Sequence, residues 1–449
     1  MKKLLLKDIV KITNGNLLYG NENEELGSFS INTKTIKKGE VFLGVKGEKV
    51  DGSTFYEQAF DNGAIGCILN KNSLNDVKEF ENKFILEVDD TVKAIQKIAK
   101  FKRDLYEDII VVGVTGSVGK TSTKDIISSV LSQKYKVLKT EGNYNNELGL
   151  PLTILKVIDE EALVLEMGMD GIGQISLLSK IARPKYGVIT NVGTAHIGIL
   201  GSRENILKAK LEMLDGLDKD GRLFINNDND MLHMWEEKKL DDRVVTFGIH
   251  NKSDFEAKNI KYDETTTFEC NENDYSIKVG GEAFIYNALS AISIGTTLGI
   301  DTNLIKKGIE NVELTKNRLQ LIERDGYTII SDCYNANFDS MKEGLSNLSK
   351  YKDRRRIAVL GDMLELGEYS KELHTNVGKE VVKTNVDILI TVGEESKYIA
   401  SEAKDKVEVH EFNSNKEAID FINSIIKKND IILVKASNGM KFTEIVENI

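Results

Sequence analysis

Short apolar runs rich in β-branched residues alternate along the chain with segments of helical periodicity, a pattern typical of α/β proteins. In the first part of the chain these segments are separated by turns rich in Gly, Asn and Asp. The predicted strands are residues 40–45, 65–69 and 84–88, and the predicted helices are residues 54–62 and 91–106. Residues 1–106 are therefore expected to form a small N-terminal α/β domain.

The same alternation continues through residues 107–315, where it predicts a doubly wound parallel sheet. The predicted strands are 109–114, 162–166, 186–191 and 221–226, with a helix at 203–217 and a β-rich stretch at 243–280. Residues 316–449 alternate again and are typical of a Rossmann-like domain. Its predicted strands are 327–331, 356–360, 386–392 and 430–435, and its predicted helices are 340–348, 373–384 and 416–427. No Gly-x-Gly-x-x-Gly follows these strands, so no nicotinamide site is predicted.

Composition agrees with a cytoplasmic protein of three domains, because 449 residues exceed what one hydrophobic core accommodates. No apolar run is long enough to span a membrane, and the first residues lack the apolar core of a signal peptide. Three cysteines lie far apart without metal or redox spacing, as expected of reduced thiols. The net charge of -11 argues against non-specific binding of nucleic acid.

A phosphate-binding loop is the most informative motif. The strand at 109–114 runs into Thr-Gly-Ser-Val-Gly-Lys-Thr at 115–121, and a helix begins there. Glycines let backbone N–H groups curl around phosphate oxygens, the lysine reaches the β- and γ-phosphates, and the threonine hydroxyl binds Mg²⁺. This predicts ATP and Mg²⁺ as cofactors, held by Gly116, Ser117, Gly119, Lys120, Thr121 and Ser122. The usual motif has its first glycine at the position of Val114, whereas this sequence has it one residue earlier, at Gly113. The alternative interpretation is therefore a glycine-rich turn that contains Gly-Lys-Thr by chance.

Four further residues are candidates for chemistry because of where the predicted elements place them. Glu166 ends a strand beside the phosphate loop, where a carboxylate is suited to Mg²⁺, although an ordinary strand-end glutamate fits equally well. His196 follows the next strand, although a single histidine is more often a satisfied polar residue. Lys208 and Lys210 lie on different faces of a predicted helix and are expected to be solvated.

Three polar loops each follow a predicted strand, at 143–151, 332–337 and 361–367. For a single loop, turn chemistry is as good an explanation as ligand contact. Because the three loops come from two predicted domains, together they indicate a cleft between those domains.

Four strings carry a resemblance to a known family. They are Thr-Gly-Ser-x-Gly-Lys-Thr at 115–121, Asn-x-Asn-Asn-x-x-Gly-x-Pro-Leu-Thr at 143–153, Asp-x-Tyr-Asn-Ala-Asn at 332–337 and Gly-Asp-Met-Leu-Glu-Leu-Gly at 361–367. Over essentially its whole length the chain resembles the ATP-dependent Mur ligases of peptidoglycan synthesis. The likeness is greatest to members that add D-alanyl-D-alanine to UDP-N-acetylmuramoyl-tripeptide through an acyl phosphate. The Asn/Asp-Pro-Arg string of diaminopimelate-adding members is missing from the sequence.

The resemblance implies a role for each matched residue. Lys120 would contact the γ-phosphate, Thr121 and Glu166 would hold a first Mg²⁺, and His196 would help to hold a second. Lys210 aligns with a lysine that relatives carbamylate, which would make it a further metal ligand. Asn287 and Asn335 would approach the adenosine, and Arg318 and Asp332 the phosphates and ribose. The implied substrate-binding residues are Asn32, Thr33, Lys34, Lys46, Asp51, Asn143, Asn145, Asn146 and Asn337.

The expected protein is thus a monomeric cytoplasmic ligase whose partners are UDP-N-acetylmuramoyl-tripeptide and D-alanyl-D-alanine. Two alternatives stay open at this point. One is another amide ligase of the same architecture, such as a diaminopimelate- or lysine-adding enzyme or a folylpolyglutamate synthetase. The other is a nucleotide-binding regulator without turnover.

Overall fold

The computed structural model describes residues 3–73, 77–262, 265–278 and 281–449. Its strands form four sheets, of five, seven, three and six strands. Among the described residues, every helix is too short or too polar to reach across a lipid bilayer. The α/β fold class with parallel sheets is confirmed, whereas the proposed domain boundaries at 106/107 and 315/316 remain a prediction.

The first sheet has the order β1-β5-β4-β3-β2 and is parallel except for β1. All three strands and both helices predicted here are present, although a short 3₁₀ turn at Gly52–Phe55 begins the first predicted helix. The strands and helices are α1 Leu6–Thr13, β1 Asn16–Tyr19, β2 Phe29–Ser30, β3 Val41–Leu43, α2 Tyr56–Asp61, β4 Gly66–Asn70, β5 Phe84–Val88 and α3 Thr91–Leu105.

The central sheet is parallel throughout, with the order β12-β11-β10-β9-β6-β8-β7. The doubly wound arrangement is therefore confirmed, and the phosphate-loop strand β6 lies between β9 and β8. Its elements are β6 Ile110–Thr115, α4 Lys120–Leu131, β7 Val137–Lys139, α5 Gly149–Leu155, β8 Ala162–Glu166, α6 Gln174–Ala182, β9 Tyr186–Ile189, α7 Ile197–Leu200, α8 Arg203–Leu211, β10 Arg222–Asn226, α9 Asp230–Glu236, β11 Val244–Gly248 and β12 Phe255–Glu256.

A three-stranded antiparallel sheet and two helices complete the middle of the chain. They are β13 Lys258–Tyr262, β14 Thr266–Cys270, β15 Asn273–Ile277, α10 Glu282–Thr297 and α11 Thr302–Glu310. The β-rich prediction for 243–280 is confirmed where the structure describes it, and residues 263, 264, 279 and 280 lie outside the described residues. Helix α10 escaped prediction because it is buried around most of its circumference and so lacks a polar stripe.

The last sheet has the order β16-β17-β21-β18-β19-β20, and only its edge strand β16 is antiparallel. All four strands and all three helices predicted here are present. The elements are β16 Gln320–Glu323, β17 Thr328–Ser331, α12 Phe338–Leu348, β18 Arg355–Gly361, α13 Ser370–Lys383, β19 Ile388–Val392, α14 Lys397–Ala403, β20 Glu408–Phe412, α15 Asn415–Ile425, β21 Asp430–Lys435 and α16 Thr443–Asn448.

Candidate functional site

The phosphate loop is held in its curled shape by the loop that follows β9. The side-chain oxygen of Asn191 accepts hydrogen bonds from the backbone N–H groups of Ser117 (3.0 Å) and Val118 (2.9 Å). A Cβ on Gly116 would lie 1.8 Å from Oγ1 of Thr190, so no other residue fits there. The loop is therefore shaped before any ligand arrives.

Lys120 begins helix α4, directly after a left-handed glycine at 119 (φ 83°). Its Nζ donates to the carbonyl oxygen of Gly116 at 2.8 Å, which folds the side chain back over the loop. Burial lowers the pKa of Lys120, an effect that the nearby carboxylate of Glu166 opposes and the Arg318 guanidinium reinforces. The helix N-terminus and this cation together favour an anion at the loop.

Glu166 and Thr121 form the core of a buried polar network. Oγ1 of Thr121 donates to Oε2 of Glu166 at 2.9 Å, and Nδ2 of Asn145 donates to Oε1, also at 2.9 Å. The backbone N–H of Glu166 is bonded in turn to the hydroxyl of Thr140 (2.9 Å). With a side chain almost fully buried, Glu166 is not an ordinary solvated strand-end glutamate.

The Thr121 and Glu166 pair fits a magnesium ion. Two oxygen ligands at right angles on Mg²⁺, each at about 2.0 to 2.1 Å, stand about 2.8 to 3.0 Å apart. The separation of Oγ1 of Thr121 and Oε2 of Glu166, 2.9 Å, lies in this range. A hydroxyl and a carboxylate oxygen are also the ligand types that Mg²⁺ prefers. Among all described residues, this site included, no cluster of three or more His, Cys, Asp and Glu side chains has the form of a metal site.

Lys210 is buried, and the prediction that both helix lysines are solvated is wrong for it. Lys208 is exposed, whereas Lys210 is only 2% exposed. Within the described part of the chain, the Nζ of Lys210 meets no hydrogen-bond or ion-pair partner. Burial, with the positive charge of Lys120 nearby, lowers the pKa of Lys210 well below its usual value. A lowered pKa favours the neutral, nucleophilic form of the amine.

His196 stands beside these two lysines, in a left-handed backbone conformation (φ 62°) at the start of α7. Burial and the charge of Lys120 lower the pKa of His196, an effect that the carboxylate of Glu365 opposes and the charge of Lys210 reinforces. Its Nδ1 lies 2.8 Å from Oε2 of Glu365 but makes no hydrogen bond within the described structure. A buried ring nitrogen without a hydrogen bond distinguishes His196 from the satisfied polar residue that a single histidine more often is.

The C-terminal part of the chain reaches this site through Arg318. Its Nη2 donates to Oγ1 of Thr121 at 3.1 Å, and its guanidinium lies 4.0 Å from the ring centroid of Tyr334. Asp332 forms a buried ion pair with Lys435 at 2.6 Å, and Nζ of Lys435 also donates to the carbonyl oxygen of Asn335. Lys435 was missed from the sequence, although a lysine ending an otherwise apolar strand is a usable signal.

A cavity of about 310 Å³ lies between the phosphate loop and the C-terminal loops. Asn337 lies on its wall, where its side chain also caps α12 through Ser340. The polar lining residues are Ser117, Lys120, His196, Asn335, Asn337, Glu365, Ser437 and Asn438. The cleft predicted from the three polar loops is thus realised for two of them, 332–337 and 361–367, while Asn145 of the third loop contacts Glu166 outside this lining.

Asn287 lies on the other side of the phosphate loop, where its Oδ1 accepts from Thr123 (2.9 Å). It lines a smaller cavity of about 40 Å³ that also contains Gly119, Tyr286 and Glu343. Ser122 is buried in the first turn of α4. In the polar loop before α5, Asn143 and Asn146 are exposed, and Asn146 accepts from the backbone N–H of Gly149.

The first sheet carries the remaining predicted residues, away from the phosphate loop. Parallel strands β2 and β3 are neighbours, so the loops that follow them leave the same edge of the sheet. Asn32, Lys34 and Lys46 are exposed on these loops, whereas Thr33 bonds to Gln58. Asp51 accepts from Ser53 and Ser73, which hold its pKa below the usual value despite the opposing effect of burial.

Three family models match the chain in succession. They are "Mur ligase family, catalytic domain" at residues 26–103, "Mur ligase middle domain" at 114–295 and "Mur ligase, glutamate ligase domain" at 317–438.

Similar proteins extend over the full length. The UDP-N-acetylmuramoyl-tripeptide–D-alanyl-D-alanine ligase of Bacillus subtilis is 36% identical, over 100% of this chain and 99% of the relative. A crystal structure of MurF from Acinetobacter baumannii has a TM-score of 0.90 at 26% identity, covering 100% of this chain and 98% of that one. MurF ligase from Thermotoga maritima in complex with ADP has a TM-score of 0.82 at 30% identity, covering 94% and 96%.

Proposed function

The chain belongs to the Mur ligase family, and from this premise we propose that it joins D-alanyl-D-alanine to UDP-N-acetylmuramoyl-tripeptide at the expense of ATP. It is an enzyme, an ATP-dependent ligase of peptidoglycan precursor synthesis. The observation that carries the proposal is the cavity between the central and last sheets. Lys120 and His196 line it on the side of the central sheet, and Asn335 and Asn337 on the side of the last sheet. Nucleotide binding is supported by the relative with bound ADP.

We assign the nucleotide to the phosphate loop. Lys120 and the backbone N–H groups of residues 116–122 would bind the phosphates, with Arg318 and Asp332 on the opposite side. Asn287 and Asn335 are assigned to the adenosine. Thr121 and Glu166 would hold a Mg²⁺ ion, with His196 and Lys210 as candidate ligands of a second, and such an ion withdraws charge from the transferring phosphoryl group.

The reaction needs no nucleophilic side chain. A carboxylate oxygen of the tripeptide attacks the γ-phosphorus, the bond to the bridging oxygen breaks, and ADP leaves. The amine of D-alanyl-D-alanine then attacks the carbonyl carbon of the acyl phosphate, loses a proton, and expels phosphate. Lys120 neutralises charge on the γ-phosphoryl oxygens, since its Nζ already lies over the loop.

Water must be excluded while the acyl phosphate exists, because water would hydrolyse it. The loops 332–337 and 361–367 face Ser117 and Lys120 of the phosphate loop across the cavity. This arrangement orients the two peptides and limits access of solvent.

The far end of the substrate is assigned to the first sheet. Asn32, Thr33, Lys34, Lys46 and Asp51 would bind the UDP group, and Asn143, Asn145 and Asn146 the sugar-peptide portion. A cytoplasmic, monomeric enzyme is part of this proposal, and the three free, buried cysteines agree with a reducing compartment.

The deciding experiment is phosphate release from Mg-ATP with UDP-N-acetylmuramoyl-tripeptide, with and without D-alanyl-D-alanine. Release that requires both peptides, with a pentapeptide product by mass spectrometry, is the expected result. Turnover driven by a single amino acid instead of the dipeptide would replace the substrate assignment by that of another Mur ligase. Absence of turnover with every amine would favour the nucleotide-binding regulator.

The two lysines on α8 provide a matched test of the second metal site. Lys210→Ala is expected to lower kcat by about a hundredfold if the lysine is a carbamylated metal ligand. Lys208→Ala, its exposed neighbour, should leave kcat unchanged. Added bicarbonate should raise the activity of enzyme that has been depleted of CO₂. Equal activity of the two variants would remove Lys210 from the proposed metal site.

A further inference from the structure

Asp125 is a buried carboxylate outside the nucleotide site. It lies on α4, one helical turn after Thr121, and its side chain is inaccessible to solvent. Its Oδ2 accepts two hydrogen bonds from Thr315, from the backbone N–H (2.8 Å) and from Oγ1 (2.7 Å). Oδ1 accepts from Lys139 at 2.7 Å and lies 3.4 Å from Nζ of Lys124. The two oxygens thus have separate partners: Oδ1 contacts the two lysines, and Oδ2 accepts hydrogen bonds from Thr315.

Thr315 belongs to the connection between α11 and β16, where the chain passes from the central sheet to the last one. Three residues later comes Arg318, which is flanked on both sides by left-handed residues, Asn317 (φ 60°) and Leu319 (φ 47°). A branched apolar residue such as leucine rarely adopts this conformation, so the surrounding contacts must impose it.

Two links therefore join α4 to this connection. Thr121 accepts from Arg318 at 3.1 Å, and one turn along the helix Asp125 accepts from Thr315. On the connection the two donors are three residues apart. The links close a small ring that includes the first turn of the phosphate-loop helix.

We propose that Asp125 is a positioning residue: it fastens the connection between the central and last sheets to α4 and so holds the guanidinium of Arg318 against Thr121. The inference rests on the proposed function, because it assigns a way of keeping Arg318 at the triphosphate. Without the anchor, Arg318 would supply the remaining side-chain hydrogen bond from this connection to α4, and Val312 and Leu314 would still pack against the central hydrophobic cluster. An ionised carboxylate suits this task because charge-assisted hydrogen bonds are the stronger ones.

The test is a mutant cycle that includes Arg318. Asp125→Asn and Thr315→Val are each expected to lower kcat about tenfold, with the KM values of both peptides unchanged. In an Arg318→Ala background, Asp125→Asn should cause no further loss, because the residue it positions is already gone. Lys139→Met, which removes another partner of the same carboxylate, is the control and should keep turnover within about twofold.

Thermal unfolding of each variant separates positioning from stability. A loss of kcat that persists in the Arg318→Ala background would overturn the proposal, as would full activity of Thr315→Val. If Asp125→Asn fails to fold, Thr315→Val carries the test alone.

The same cycle is measured for ADP binding by calorimetry, which needs no peptide substrate. Asp125→Asn should weaken ADP about fivefold in the wild-type background and not at all beside Arg318→Ala. Absence of turnover in the wild type would reject the proposed substrates, whereas equal ADP affinities across the cycle would reject the role of Asp125.

Discussion

The central sheet meets its two neighbours through very different surfaces. Towards the first sheet, α3 packs its apolar side against α5 and α6 in one continuous hydrophobic cluster. Two cations within this junction, Lys102 and Arg103, are buried and donate to backbone carbonyl oxygens, at Leu155 and Ala182. Separating these surfaces would expose the buried apolar side chains to water, which is unfavourable. We call this the apolar junction.

Towards the last sheet, polar contacts surround a cavity, beside a smaller apolar contact between α7 and Leu366. The backbone N–H and Oγ1 of Thr194 donate to Oδ2 of Asp339 (2.9 and 3.1 Å), and Tyr369 donates to the carbonyl oxygen of Gly201 (2.8 Å). Bonds of this kind exchange with water at little net cost. We call this the polar junction. From this difference we infer that the first junction resists separation more strongly than the second.

The largest expected effect compares one lysine from each junction. Lys120 donates to Gly116 at the polar junction, and Lys102 donates to Leu155 at the apolar one. Lys120→Met should lower kcat at least about a thousandfold, because it removes the charge that faces the γ-phosphoryl group. Lys102→Met should keep kcat within about twofold. Steady-state kinetics on both variants, with circular dichroism as the check on folding, decides this comparison, and near-normal turnover of Lys120→Met would reject the assigned site.

Arg103 tests the rigidity of the apolar junction. Arg103→Ala leaves the carbonyl oxygens of Ala182 and Tyr106 without this donor in a buried setting. A loss of about 2 to 4 kcal/mol in the free energy of unfolding is expected, with kcat of the folded fraction unchanged. Urea titration measures the first quantity and activity at low temperature the second. A stability equal to that of the wild type would show that this junction is not held as tightly as its burial indicates.

Asp339 tests whether a contact of the polar junction affects turnover more than stability. Asp339→Ala removes both bonds to Thr194, whose neighbour Gly193 donates to Oγ of Ser117 in the phosphate loop. We expect kcat to fall about tenfold while the unfolding midpoint stays within about 2 °C, because water replaces the lost partner. Ser346→Ala, on an exposed part of the same helix, is the control. A large drop in the midpoint would contradict the distinction between the junctions.

The smallest effect concerns pH. Burial, with the negative charge of Asp332 nearby, raises the pKa of Glu343 on α12 to about 7. The folded protein thus binds this proton more tightly than the unfolded chain, so the stabilisation is complete below about pH 4.5 and is lost as pH rises through 7. Glu343→Gln should be more stable than the wild type at about pH 8 and similar to it at about pH 5, as measured by thermal unfolding. The same difference at both pH values would show that the carboxyl titrates normally.

Much of this architecture follows from local sequence. Apolar runs such as 84–88, 162–166 and 430–435 are strands with those same bounds, because both faces of a parallel strand are buried. The phosphate loop is equally local, since its glycines, lysine and threonine are contiguous. The short edge strands β1, β2, β16 and β20 were not predicted, because tertiary pairing and not local pattern stabilises them. Helix α1 was also not predicted, although its apolar residues Leu6, Ile9 and Val10 recur at helical spacing.

The residues of the site also fall into those that the sequence identified and those whose role only the structure shows. The sequence named Lys120, Thr121, Glu166, His196 and Arg318, the last only through resemblance to a family. It could not show that Lys210 is buried while Lys208 is exposed, because both fit the same helical pattern.

Lys435 and Asp125 acquire their roles only from distant partners, Asp332 and Thr315. The sequence thus determined the elements, the nucleotide loop and the family, which depend on short-range propensity and contiguous motifs. Only the tertiary structure decided which charges are buried together, because desolvation and pairing depend on residues far apart in the chain.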